Sequence, residues 1–553
     1  MIMTQPEYLN IASTLAATAA RFPDQPAVIV PGQRGSSGAR QISFRELESL
    51  TNRLSQGLAR LGIGSGERIV LMVRPGIEFI ALTFALFKAG AVVVLIDPGM
   101  GPRRIFGCLD TVEPRGFVAV SAVQALRILS GRRFARAKFN VTVGRRWFWG
   151  GATYQSLLDP VRSISVVNSN IDSPITRSTD PAAIIFTSGS TGPAKGVVYE
   201  HGMLAAQVEA LHDFYGIQPG GADLPGLPLF ALFNVAMGMT TVVPDMDPTR
   251  PAQVDPAKIV AAIQGHSATQ GFGSPAIWNR VGRYCQSRQI TFPTLERIFS
   301  AGAPVPVAVL ARMKATLTRA GAEMHTPYGA TEALPVASIT ATEVLTRTAE
   351  RTAQGAGTCV GRPLPTIRLK IIAITEGTIA SLADVRELPA GEIGEIIVRG
   401  DVVTREYFRR PEATAAAKII EGQHFWHRMG DVGYLDQEGL LWFCGRKSQA
   451  VETESGRIFT DCVEPIFNTH SRVARCALVG VGARPRQSPA IVVELDAGKP
   501  SPELTSELRQ LAAGHSTTKS IERFLFYPRT LPVDVRHNTK INREQLAEWA
   551  AKQ

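Results

Sequence analysis

Residues 187 to 196 read Thr187-Ser188-Gly189-Ser190-Thr191-Gly192-Pro193-Ala194-Lys195-Gly196. Glycines let successive backbone N–H groups turn towards one point; the hydroxyls add donors, and Lys195 adds a mobile positive charge. Such a loop suits a polyphosphate. Its spacing is not the G-x-x-x-x-G-K-[ST] pattern, so the fold that goes with that pattern does not follow. A flexible Gly/Ser linker is the bland reading. Against it stands the apolar run Pro181-Ala182-Ala183-Ile184-Ile185-Phe186, which reads as a buried strand feeding the loop.

The elements around the loop alternate. Ser43 and Glu46 form a capping box opening a helix, which stops at the turn Gly62-Ile63-Gly64-Ser65-Gly66. A strand over residues 69–73, a helix over 77–87 and a strand over 92–96 follow. Strands alternating with helices predict an α/β fold with a mainly parallel sheet. At 553 residues the chain is too long for one compact core. The apolar stretch 79–96 is interrupted by Lys88 and Gly90 and reads as a buried helix and strand, not a membrane span. No secretory leader is read at the N-terminus. Six scattered cysteines without a C-x-x-C pair fit a reducing, cytoplasmic setting. A net charge of +11 favours anionic partners, but no nucleic-acid signature accompanies it. Between residues 127 and 149 seven basic residues mix with Phe134, Phe139, Trp147, Phe148 and Trp149. That stretch has two readings, a solvated basic face or a surface that meets anionic lipid or another protein.

The loop at 187–196 resembles the phosphate-binding motif of the adenylate-forming superfamily, which includes acyl-CoA synthetases, luciferases and peptide synthetase adenylation domains. Other landmarks follow in order. Ser300-Ala301-Gly302-Ala303-Pro304 looks like the adenine-side loop. Tyr328-Gly329-Ala330-Thr331-Glu332 matches the next motif: Tyr328 to stack on adenine, Thr331 to donate to the α-phosphate, Glu332 to hold Mg²⁺. Read alone, Thr331-Glu332 is a helix start with Thr331 as N-cap. Asp431 stands where the family's ribose-binding carboxylate stands, and Arg446 matches the arginine reaching ribose and phosphate. Lys540 matches the catalytic lysine between substrate carboxylate and α-phosphate. His424 and His427 are read as ordinary surface histidines. The resemblance implies a large N-terminal domain of parallel-rich sheets with flanking helices (1–445), a hinge (446–448, with Ser448 where Asp or Lys is usual) and a small mobile α+β C-terminal lid (449–553).

The resemblance further implies ATP and Mg²⁺ as cofactors, with an acyl-adenylate formed at Lys540, Thr331 and Glu332. Residues 94–101, 228–234 and 534–540 most resemble the β-lactone synthetases of bacterial long-chain olefin biosynthesis. That family adenylates a long-chain 2-alkyl-3-hydroxyalkanoic acid, whose own 3-hydroxyl closes the ring, and other olefin-pathway enzymes are the partners it implies. His201 is the candidate acceptor for the hydroxyl proton. The alternative is an AMP-forming long-chain fatty acyl-CoA or acyl-carrier ligase. Residues 452–459, which would serve a thiol acceptor, match that class only loosely. A non-catalytic binding protein is the third reading.

Overall fold

The computed structural model describes residues 6–32, 38–159, 175–187, 194–533 and 541–553. Its first sheet has seven strands, in the order Ala152–Thr153, Phe139–Val143, Gly116–Val120, Arg68–Met72, Val92–Ile96, Pro181–Thr187, Lys195–Glu200. The first six run parallel; the last turns back antiparallel, so Pro181–Thr187 and Lys195–Glu200 are the two arms of the loop at 188–194. Val92–Ile96 is buried at all five positions, as a strand covered on both faces must be. The helix Ile77–Lys88 is apolar nearly all round, which is why nine of its twelve residues are buried. Among the described residues no helix is long and apolar enough to cross a membrane.

A second, larger sheet carries the other half of the site. Its parallel strands Ala222–Pro225, Gln270–Gly273, Arg297–Ser300 and Glu323–Ala330 are followed by antiparallel ones: Ala333–Thr340, Thr358–Pro363, Leu441–Arg446 and His424–Leu435. Beyond Arg446 comes a short 3₁₀ turn, Lys447–Gln449, then a smaller C-terminal domain. That domain is built on the sheet Val473–Val481, Ser488–Leu495, Arg523–Phe526, against which the helices Pro502–Ala513 and Arg543–Ala550 pack. The predicted capping box is present: the Glu46 amide donates to Ser43 Oγ at 3.3 Å, and the Ser43 amide donates to Glu46 Oε2 at 2.8 Å.

Candidate active site

Thr331 and Glu332 are not a helix start. Ala330 pairs with Ala333, so the two residues form the tip of a tight β-hairpin. Gly329 is required just before it, since a Cβ there would lie 2.6 Å from the Ala333 carbonyl oxygen. Segment 403–408 clamps the tip to the first sheet: Val403 bridges Ala333, and Tyr407 bridges Val197. The Thr404 amide and hydroxyl donate to the Glu332 carbonyl at 2.9 and 3.2 Å, and the Tyr199 hydroxyl donates to the Thr331 carbonyl. The Tyr407 hydroxyl then donates to Glu332 Oε1 at 2.7 Å, while Lys195 Nζ lies 4.8 Å from the Tyr407 ring centroid. One arm of the glycine-rich loop is therefore held beside the hairpin carboxylate. Burial, reinforced by the Glu332 charge, pushes the Tyr407 phenol well up, so it stays a donor.

A second cluster adjoins the first. The Tyr328 hydroxyl donates to Asp431 Oδ2 at 2.6 Å, and Arg446 Nη1 lies 2.9 Å from Asp431 Oδ1. Strand pairing sets this arrangement, because Asp431 and Arg446 are register partners. Asp431 is only 2% exposed, and its charge raises the Arg446 guanidinium above its ordinary range. Across the cleft Gly302, at φ +94°, turns the chain after Ser300 and lets Ala303 and Pro304 face the same space.

Lys195, Gly302, Ala303, Pro304, Tyr328, Gly329, Thr331, Glu332, Asp431 and Arg446 all line one cleft of about 2590 Å³. Its apolar end is walled by Phe84, Phe87, Leu204, Val208 and, from the helix Phe230–Ala236, Phe230 and Phe233. Thr187 ends its strand at the mouth of the loop; Ser188, Gly189, Ser190, Thr191, Gly192 and Lys540 lie outside the described residues. The two feet of the segment bearing Lys540 are described: Val533 bridges Ile541, and both line the cleft.

Two histidine expectations need correction. His201 is 1% exposed, and its Nδ1 accepts the Ile11 amide at 3.2 Å, behind the cleft wall. Burial lowers its pKa to about 4, and the ring serves as a packed acceptor, not a base facing substrate. His427 is no surface residue either. It is 2% exposed, with Nδ1 3.1 Å from Lys418 Nζ, whereas His424 on the same strand is exposed. Lys418 is itself buried and donates to the Thr404 carbonyl; burial lowers its pKa to about 7. Sequence reasoning missed Tyr407, Thr404 and Lys418. A lysine opening the strand Lys418–Glu421, directly before Ile419 and Ile420, was the available signal.

Comparison with known proteins agrees with this geometry. Residues 15–408 match the family model described as AMP-binding enzyme. The chain is 46% identical to an olefin β-lactone synthetase of Stenotrophomonas maltophilia over 98% of each chain. It is 25% identical to a long-chain-fatty-acid–CoA ligase of Thermus thermophilus, covering 95% of this chain and 93% of the ligase. The amide bond synthetase of Marinactinospora thermotolerans shares the fold at a TM-score of 0.77 and 22% identity, covering 98% of this chain and 99% of that one. With the model match spanning most of its length, the chain belongs to the AMP-binding enzyme family.

Proposed function

We propose that the chain adenylates a long-chain 2-alkyl-3-hydroxyalkanoic acid with ATP and closes the product to a β-lactone, releasing AMP and pyrophosphate. A carboxylate and a triphosphate repel each other, so the site must gather cations and donors around the reacting phosphorus. Lys195 and Arg446 stand on the cleft wall, and the feet of the Lys540 segment open into it. In this reading the loop at 187–192 cradles the phosphates and Lys540 bridges carboxylate and α-phosphate. Tyr328 and Asp431 meet adenine and ribose. Glu332 is a hard oxygen donor fixed by Tyr407, a type of ligand that Mg²⁺ takes. Bound there, Mg²⁺ supplies positive charge against the phosphate oxygens. Each well-placed donor contributes roughly 3 kcal/mol to such a transition state.

The 3-hydroxyl oxygen then attacks the activated carboxyl carbon. The ring C–O bond forms as the bond to AMP breaks, and the hydroxyl proton is released. An internal nucleophile has a high effective concentration and needs no separate acceptor tunnel. The apolar wall of phenylalanines and leucines suits the alkyl chains. The same reading takes residues 446–448 as the hinge between a core (1–445) and a lid (449–553), and other olefin-pathway enzymes as cytoplasmic partners.

The observation that carries the lactone reading is the 46% identity across 98% of both chains to a β-lactone synthetase, against 25% to a CoA ligase. One feature favours the ligase reading: Val451–Thr453 and Gly456–Ile458 do form a hairpin, with a two-residue turn, where a thiol acceptor would act. Incubation with ATP, Mg²⁺ and a long 3-hydroxy acid without CoA, followed by NMR, separates the two. Lactone is expected. Product that forms only when CoA is added would overturn the proposal.

A further inference from the structure

Residues 144–149, Gly-Arg-Arg-Trp-Phe-Trp, follow the strand Phe139–Val143 at the edge where the parallel strands end. Trp149 is the anchor. It is 4% exposed, and its indole N–H donates to Thr142 Oγ1 at 3.0 Å. Against it rest Trp147 and Phe148, with centroids at 5.6 and 5.2 Å. These outer rings are 58% and 77% exposed, a pair of large apolar side chains facing water side by side. The loop is also tied down, since Ser121 Oγ donates to the Arg145 carbonyl oxygen at 2.5 Å.

The chain that carries these rings is basic in sequence. From residue 114 to 158 the sequence contains no aspartate or glutamate, but it has Arg115, Arg127, Arg132, Arg133, Arg136, Lys138, Arg145 and Arg146. Arg115, Arg133 and Arg136 pair with carboxylates outside that stretch. Arg145 and Arg146 are exposed and pair with no carboxylate among the described residues. At the same edge the helix Pro102–Val112 begins with the exposed Arg103 and Arg104, and Arg104 reaches the cleft wall. Val143 and Thr187 end strands four positions apart in the sheet, so these two strand ends lie about 19 Å apart along this edge.

We propose that the loop 144–149 is an interfacial anchor that seats this edge of the enzyme on an anionic lipid surface. Trp and Phe enter the headgroup boundary, and the arginines meet lipid phosphates. A protein surface would also cover two rings. Arg145 and Arg146, which precede the rings without a carboxylate partner among the described residues, favour a sheet of negative charge, and each basic group near such a leaflet improves binding roughly fivefold. The proposal stands whether or not the lactone reading does.

The test is co-sedimentation of the full chain with vesicles of phosphatidylcholine, pure or containing phosphatidylglycerol. Wild type should bind the anionic vesicles at least tenfold more tightly than the neutral ones, with binding weakened by salt. Trp147→Ser/Phe148→Ser and Arg145→Gln/Arg146→Gln should each lose tenfold or more in vesicle binding, with melting temperature and pyrophosphate exchange on a short soluble acid unchanged. Equal binding to both vesicle types overturns the proposal, as does wild-type binding by both variants. If light scattering instead shows self-association that the aromatic variant abolishes, with no vesicle binding, the face is a protein contact and the lipid assignment is wrong.

Discussion

The Tyr407 hydroxyl donates to Glu332 Oε1 at 2.7 Å across the seam between two sheets. Tyr407 is tied to the first sheet by an isolated bridge to Val197, and Glu332 belongs to a hairpin of the second. A donor to a charged acceptor contributes about 1.5–3 kcal/mol. Tyr407→Phe should therefore slow ATP–pyrophosphate exchange by roughly ten- to a hundredfold. It should also raise the Mg²⁺ concentration for half-maximal exchange, since the carboxylate loses its positioning partner. Exchange within twofold of wild type, with an unchanged Mg²⁺ dependence, would show that the contact plays no part in the chemistry.

Asp431 should be less forgiving. It accepts from Tyr328 and pairs with Arg446, and it is almost fully buried. Asp431→Asn keeps the shape but leaves Arg446 without its counter-charge. If the carboxylate holds ribose, half-saturation by ATP should rise at least tenfold, roughly 1.4 kcal/mol or more. An ATP titration of exchange checks this. An unaltered half-saturation with a merely lower melting temperature would make Asp431 structural.

Lys418 supplies a pH signature. Its ordinary pKa of 10.5 falls to about 7 in the fold because burial disfavours the ammonium. Between those values the unfolded chain binds the extra proton, so this residue's contribution makes stability rise with pH from about 7 towards 10.5 and fall as pH drops. The slope is at most about 1.4 kcal/mol per pH unit. His427 Nδ1, Thr404, Glu332 and Arg405 surround or act on the group, so the clean quantity is a difference. Urea midpoints of wild type and Lys418→Met, measured at pH 7 and 9, should diverge in wild type's favour as pH rises. A difference that does not change with pH would mean Lys418 keeps its charge throughout.

Legibility in the sequence followed locality. The strand Val92–Ile96 and the helix Ile77–Lys88 were readable because burial on all sides leaves a continuous apolar run. The Tyr328, Asp431 and Arg446 positions were readable through resemblance, and the structure brings them within hydrogen-bonding distance. The clamp was not. Tyr407 and Lys418 act through isolated bridges and a buried contact between residues distant in sequence, and neither leaves a periodic signal. Thr331-Glu332 carries a plausible N-cap pattern, and pairing of Ala330 with Ala333 overrode it. His201 looked available because sequence shows the side chain but not the Ile11 amide it accepts.

The feet of the Lys540 segment give the last prediction. Arg543, three residues beyond that lysine, places Nη2 2.7 and 2.8 Å from the two carboxylate oxygens of Glu464. Glu464 also accepts the Leu478 amide at 2.8 Å, so the pair ties the segment's C-terminal foot to the small domain's sheet. Both side chains are mostly buried, at 15% and 12% exposure. Removing one partner of such a pair leaves an uncompensated charge and costs about 3–5 kcal/mol, whereas replacing both together costs far less. Arg543→Met should therefore destabilise the C-terminal domain by about that amount. Glu464→Gln/Arg543→Met should recover most of it, giving a large coupling in a double-mutant cycle. Stability alone does not test the anchor. If the foot positions Lys540, the double variant, though restored in stability, should still exchange pyrophosphate at least tenfold more slowly than wild type. Full recovery of exchange alongside stability would reduce the pair to a fold element with no hold on the lysine.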